Sequence, residues 1–458
     1  MNIKCIAAGI SVAVSFVAVG STPLVTEVTM SQPADSRRVT ITYKMDGAPA
    51  VVTLDVQTNR TGRATESDAD WVSIGGVAVC NAQGAVWRKV TEADKADGVY
   101  AITWRPDLSW PDHKIDNKSA RAVVTAWALD NTPDYMAVDV SAAAQPDTQT
   151  YYPAADFVPG GVTNGLYKTT MLLMRKIMAK DVTWTMGSSP LETQRDSTRE
   201  ATHQVTLMNN YYIGVFPVTQ AQWALIQPSR LTPSRYTNTA DRAMRPVEQV
   251  CYNEIRNSAN DSANTSYDWP ADPNPDSYLG KLRAKTGIDF DLPSEAQWEF
   301  AARAGNGDTK WGDGSGILNT DTDANLDLLG RYERNGGRVR NGTSYADPDR
   351  SCGATNGTGI VGSYAPNAWG LYDTAGNVWE VCLDWYEDDI TAYGGKVNID
   401  PAASANTLSG SSGVHRVMRG GSWYGSSVYC RPAMRNKCSI TYRGADGGFR
   451  ILCSAGLK

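Results

Sequence analysis

Leu292-Pro293-Ser294-Glu295-Ala296-Gln297-Trp298-Glu299-Phe300-Ala301-Ala302-Arg303 is the stretch from which the second half of this chain can be read. A serine followed three residues later by glutamine is a capping box. The hydroxyl accepts the backbone N–H of the glutamine, whose own side chain returns to the serine N–H. A helix over Ser294–Ala304 is therefore predicted. Only two other stretches read as helix-like, Thr219–Ile226, opening at Thr219, and Val250–Ser258. From Trp311 to Gly370 the chain is dense in Gly, Asn, Asp and aromatic residues. Loops of that length in a compact domain are normally functional, or clamped by a metal, a disulfide or ring packing.

Working outward, the first half has a different grammar. Val39, Ile41, Tyr43 and Met45 alternate at period two, and after Asp46-Gly47-Ala48-Pro49 so do Ala50, Val52, Leu54 and Val56. The pattern predicts a hairpin. Further strands are expected around Ala85–Val90, Tyr100–Trp104, Ala120–Leu129 and Tyr135–Val140. Strands at this spacing without intervening helices argue for an immunoglobulin-like β-sandwich over residues 21–145. Nothing catalytic shows in it, and His113 has no second histidine nearby. Residues 146–178, small and punctuated by Pro and Gly, read as a linker to a domain over 179–458. Leu166–Lys180, at the end of the linker, reads as a short amphipathic element leading into the second domain.

Composition bounds the function. The chain has 458 residues, enough for two domains, with 41% apolar and 20% charged residues. Fourteen Trp, 21 Tyr and 41 Gly against 6 Phe argue for a turn-rich fold pinned by large rings. A net charge of -6 without a basic run excludes nucleic acid as a natural partner. Met1-Asn2-Ile3-Lys4, then an apolar stretch from Cys5 to Val19, reads as a cleaved export signal over residues 1–20. No other stretch is apolar enough to span a membrane, so the expected location is secreted, periplasmic or cell-surface. Seven cysteines then remain, six of them in the second half, which permits disulfides of undetermined pairing in an oxidising compartment. Cys80 stands apart and reads as a small buried hydrophobe.

Seven segments in fixed order carry a family resemblance. They are Trp184-Thr185-Met186-Gly187; Tyr212-Ile213-Gly214-Val215-Phe216-Pro217-Val218-Thr219; Arg245-Pro246-Val247-Glu248; the Leu292–Arg303 run; Asn367-Ala368-Trp369-Gly370-Leu371-Tyr372-Asp373-Thr374-Ala375-Gly376-Asn377-Val378-Trp379-Glu380; Arg419-Gly420-Gly421-Ser422-Trp423; and Gly448-Phe449-Arg450. Together they resemble the sulfatase-modifying-factor, or formylglycine-generating enzyme, family from about Val182 to Cys453. The resemblance implies an α+β, C-type-lectin-like domain with little regular secondary structure.

It does not by itself imply catalysis, because the family mixes enzymes with binding proteins. Its active members hold Cu(I) between two thiolates, as soft ligands do, and oxidise a client cysteine to formylglycine. Laid on this chain, the two ligand positions are Gly425 and Cys430: the second thiol is present and the first is glycine. Cu⁺ is therefore not expected. Ser422 falls where active members place a serine near the oxygen pocket. A histidine-iron branch also exists, but His113, His203 and His415 are the only histidines and one lies in the other domain. His203 reads as a strand residue and His415 as a loop residue before Arg416. The resemblance further implies a structural Ca²⁺ held by Asp373, Gly376, Val378 and Glu380, an oxygen-only set suited to that ion. A second Ca²⁺ position matches Asn325 and Leu326, but its carboxylate position is Gly353, leaving only Asp347 or Asp349 to replace it. Two readings follow. One is a binding or non-oxidase member that recognises peptide, protein or glycan through Trp423, Tyr424, Tyr429, Arg431, Arg435 and Tyr442, residue types enriched in recognition hot spots. The other is a formylglycine-generating oxidase with a noncanonical second ligand beside Cys430.

Overall fold

The computed structural model describes residues 22–59, 68–113, 119–192, 194–237, 240–257, 269–318, 322–336, 357–391 and 415–457, with the backbone alone of 340–341, 344–345 and 397–399. The expected export signal, Cys352, Gly353, Asp347 and Asp349 lie outside the described residues.

The first half is built of two antiparallel sheets. One runs in the order Leu24–Ser31, Val39–Asp46, Tyr100–Trp104, Gln83–Gly84. The other has Ala50–Asn59 at its centre, flanked by Trp71–Ser73, Lys89–Val90 and Ala120–Trp127. Val39, Ile41, Tyr43 and Met45 share one core with Val52, Leu54, Val56, Tyr100, Ile102 and Trp104. The Tyr43 and Tyr100 rings stack at 5.1 Å.

The alternation was read correctly, but the hairpin was not. Val39–Asp46 pairs with the strands on either side of it in its own sheet, and Ala50–Asn59 pairs only within the other. Period two fixes which face is buried, not which strand lies alongside. Side by side, the two apolar rows would lie on one face about 5 Å apart; across a sandwich, about 10 Å apart, each row buries the other. The Asp46–Pro49 turn therefore carries the chain from one sheet to the next.

At its start Ala50–Asn59 is buried on both faces, and Val51 belongs to the core of the second half. The two halves also share a sheet, in the order Thr150–Tyr152, Tyr135–Asp139, Met171–Ile177, Tyr211–Gly214, Leu452–Ser454. The segment expected to be a linker thus carries two strands, Thr150–Tyr152 and Met171–Ile177. The amphipathic stretch Leu166–Lys180 resolves into a 3-10 turn, Gly165–Lys168, and the second of these strands.

The second half is mostly β with few helices. Its site-bearing sheet runs Arg435–Ser439, His415–Arg419, Trp379–Trp385, Gly447–Gly448. A third sheet joins Val182–Met186, His203–Leu207 and Val397–Ile399. His203 is a strand residue as expected, whereas His415 begins a strand instead of lying in a loop.

Both predicted caps form. Thr219 with Gln222 opens Gln220–Ile226, and Ser294 with Gln297 opens Glu295–Arg303. The stretch read as Val250–Ser258 keeps one turn, Tyr252–Ile255. A helix at Tyr278–Thr286, capped by Ser277, was not anticipated. Glycine is a poor helix former, yet at Gly280 of this helix a Cβ would stand 2.1 Å from the Asn274 carbonyl oxygen. The glycine allows the helix to lie against that loop. Among the described residues every cysteine is a free thiol and no helix is long and apolar enough to cross a membrane. Cys80 is half-buried, its thiol 3.0 Å from the Val77 carbonyl.

Candidate functional site

The strand His415–Arg419 runs into Gly420 and Gly421, whose φ angles of +93° and +74° only glycine adopts freely. The chain folds back over Cys430 so closely that a Cβ on Gly421 would meet its sulfur at 2.7 Å. Cys430 is fully buried among Trp311, Leu326, Leu329, Tyr332 and Ala375. Its polar neighbours are the Ser422 backbone N–H and, at 3.9 Å, the Ser426 carbonyl. Burial pushes the thiol up to about 12, so it stays protonated at neutral pH.

Gly425 stands where a partner thiol would be, and an added Cβ there meets Tyr429 first. The three atoms nearest to an added Cβ all belong to Tyr429, at 3.2, 3.3 and 3.5 Å. The other cysteines among the described residues lie elsewhere: Cys438 and Cys453 in the main core, Cys382 against Trp298 and Val417, Cys251 at the start of Tyr252–Ile255, and Cys80 in the first half. Among the described residues Cys430 therefore has no second sulfur donor, and that set does not fit Cu(I), which needs two matched ones.

Ser422 is fully buried and donates to Asp446 Oδ2 at 3.1 Å, while its Oγ accepts the Tyr424 N–H at 3.3 Å. Trp423 is buried and donates its indole N–H to the Ala445 carbonyl at 3.2 Å. Tyr424, Tyr429 and Tyr442 are exposed at 36%, 44% and 48%.

The two arginines grouped with them are not on that face. Arg431 is buried in a fork on Glu200, at 2.9 and 2.8 Å, with Glu192 at 2.6 Å. Arg435 is buried in a fork on Glu295, at 2.6 and 2.9 Å. Bidentate guanidinium–carboxylate geometry of this kind ties distant chain segments together. Of the six residues read as a recognition face, three tyrosines are exposed; Tyr424 meets buried Trp423 edge to face and Tyr429 meets Trp379.

The Asp373–Glu380 segment places its acids together but not as a cation cage. Glu380 and Arg450 are both fully buried and paired at 2.8 Å through each carboxylate oxygen, and Trp298 donates to Glu380 Oε2 at 2.7 Å. Asp373 accepts the Gly362 N–H at 2.7 Å and the Asn377 amide at 3.2 Å. The Gly376 carbonyl accepts the Val378 N–H at 3.0 Å. Burial raises the Asp373 carboxyl to about 6, and Lys168, which is itself buried against Phe216, feels its charge. As arranged, Glu380 spends its oxygens on Arg450 and Trp298, and Asp373 spends its own on Gly362 and Asn377, so both acids are satisfied without a cation.

At the other position, Asn325 donates to the Gly316 carbonyl at 2.8 Å. The Asn325 and Leu326 N–H groups donate to Asp323, which also accepts from Trp311. The Asp323 carboxylate organises the loop here. Among the described residues no group of three His, Cys, Asp or Glu is placed to hold a metal. His113 stacks on Trp110 at 3.9 Å in the first half.

Two acids went unnoticed in the sequence. Asp446 reads as a loop acid among glycines, and Glu248 as one letter of a motif. Glu248 is fully buried, accepts the Tyr236 N–H at 3.1 Å, and leaves its Oε2 without a partner. Burial raises its carboxyl to about 7.

Residues 170–455 match the family described as the sulfatase-modifying factor enzyme 1-like domain. A formylglycine-generating enzyme of Thermomonospora curvata is 35% identical over 169 residues, which is 36% of this chain and 48% of that protein. One from Streptomyces coelicolor is 35% identical over 173 residues, 36% of this chain and 47% of that protein. The chain thus spans about half the length of these relatives. Among solved structures, Treponema denticola variable protein 1 superposes with a TM-score of 0.45 at 25% identity, covering 62% of this chain and 96% of that one.

Proposed function

This chain belongs to the sulfatase-modifying factor family through residues 170–455, and within that family we propose that it is an exported binding protein and not a copper oxidase. One observation carries the reading. Cys430 is a protonated thiol sealed in an apolar cluster, and the place of its partner is a glycine turned toward Tyr429. A single desolvated thiol has no chelate partner and must lose its proton before it can bind a soft metal. With that chemistry gone, the exposed Tyr424, Tyr429 and Tyr442 are left as a recognition surface of the kind that rigid aromatic rings make well. The ligand is a peptide, protein or glycan met outside the cytoplasm, after removal of residues 1–20. The N-terminal sheets, read as an immunoglobulin-like sandwich, would present that surface away from an anchoring point.

Anaerobic titration with Cu(I) against a competing chelator tests this. The expected result is no stoichiometric uptake by the folded protein. One tight equivalent of Cu(I), lost in Cys430→Ser, would overturn the reading and restore the oxidase.

A further inference from the structure

Asp446 is a half-buried carboxylate beside exposed aromatic rings, and among the described residues no basic side chain offsets it. Its Oδ2 accepts from Ser422, and its own N–H is the other donor to it. The nearest arginine in sequence, Arg443, is turned to Glu254 at 2.9 Å. A Cβ added to Gly444 would stand 2.6 Å from the Tyr442 hydroxyl oxygen and 2.8 Å from Asp446 Oδ1, so the phenol and the carboxylate share the space over this glycine. Trp423 is fastened to the same loop through Ala445, and Tyr424 meets it edge to face at 5.3 Å and 72°. Tyr236 also meets Trp423 edge to face, at 5.5 Å and 88°.

Aromatic faces beside an uncompensated carboxylate attract one class of group above others, an organic cation. We propose that Asp446 with Tyr442, Trp423 and Tyr424 forms a subsite for the ammonium or guanidinium of a lysine or arginine in a peptide ligand. The subsite rests on the binding reading above and gives that ligand a chemistry. A neutral sugar would cover the rings yet leave the carboxylate unpaired, which is costly when it is desolvated. A metal ion would need more oxygen donors than this one acid supplies, and no three-residue metal group occurs among the described residues. The net charge of -6 favours approach of a basic peptide.

The experiment is a ligand-observed NMR titration of the full chain with acetyl-Ala-Lys-Ala-amide, its norleucine analogue and chitotetraose. The lysine peptide should bind at least about tenfold more tightly than the norleucine peptide, the effect of one charge-assisted contact. Asp446→Asn, which keeps the shape and the Ser422 bond, should abolish that preference without shifting the melting temperature. Tyr424→Ala, at an exposed position, should weaken the lysine peptide several-fold. Equal binding of the two peptides, no binding of either at millimolar concentration, an undiminished preference in Asp446→Asn, or saturation by chitotetraose alone would overturn the subsite. The two readings fail separately. Copper uptake through Cys430 sinks the binding reading whatever the peptides do, whereas equal peptide affinities sink only the subsite.

Discussion

Replacing Arg450 by methionine removes the group on which the centre of the second half converges. Its guanidinium spends all five N–H donors. Two go to Glu380, at 2.8 Å each, and three to the carbonyls of Gly214, Val215 and Tyr372, at 2.7, 3.2 and 2.7 Å. Both members of the ion pair are fully buried. Methionine fills much of the volume but leaves a carboxylate without its cation in an apolar interior. Breaking a buried pair from one side costs about 3–5 kcal/mol, because an uncompensated charge remains. Each stranded carbonyl adds a share of about 1–3 kcal/mol, not additively. A loss of at least about 4 kcal/mol is expected, a large part of the roughly 5–15 kcal/mol that holds a domain together. Glu380→Gln strands the Arg450 guanidinium in its turn but should cost less, since the amide oxygen still accepts from Trp298 and the guanidinium keeps its three carbonyl acceptors and the charge of Asp373 nearby. Urea unfolding followed by far-ultraviolet circular dichroism measures both. If Arg450→Met lies within about 1 kcal/mol of the parent, or costs less than Glu380→Gln, the argument that this pair holds the core together is wrong.

Two further expectations follow from the same interior. Dialysis against a calcium chelator should leave the unfolding midpoint unchanged, and adding millimolar calcium should not raise it; a midpoint that climbs with calcium concentration would show a bound ion after all. Glu248 keeps its proton up to about pH 7 in the fold against an ordinary value of 4.5, so folding takes up a proton between those limits. Stability should therefore fall as pH rises from about 4.5 to 7 and then level off, by up to about 3 kcal/mol from this group; Glu248→Gln should flatten that slope and be the more stable form at pH 8, and an unchanged slope would refute the assignment.

Much of the fold was legible because local chemistry and global packing agree. Tyr100–Trp104 alternates and is a strand, and Ser294 and Gln297 name each other as partners within four residues. What failed required knowledge of distant chain. Val39–Met45 and Ala50–Val56 announce their buried faces but not that they belong to opposite sheets. Tyr278–Thr286 hides behind a glycine whose purpose is a neighbouring loop. Arg431 and Arg435 stand among aromatics in sequence, so they read as surface, yet their carboxylate partners at Glu200 and Glu295 lie 231 and 140 residues away. The glycine at 425 was legible as the loss of a ligand. That Cys430 is sealed in by rings and aliphatics was not, since Trp311 and Leu326 come from a loop more than a hundred residues earlier.

The sheet that joins Tyr135–Asp139 to Met171–Ile177 has a practical consequence for anyone isolating the family unit. Expression begun at residue 170 would strip Met171–Ile177 of one neighbour, leaving a row of bare backbone amides and carbonyls ready to pair with another molecule. The same truncation would remove Met136, Val138 and Tyr151 from the core, together with the Thr132 hydroxyl that reaches Ala455 near the far end of the chain. Recombinant work on the second half therefore has to start upstream of Thr132, and the N-terminal sheets behave less as a detachable tether than as one wall of the same building.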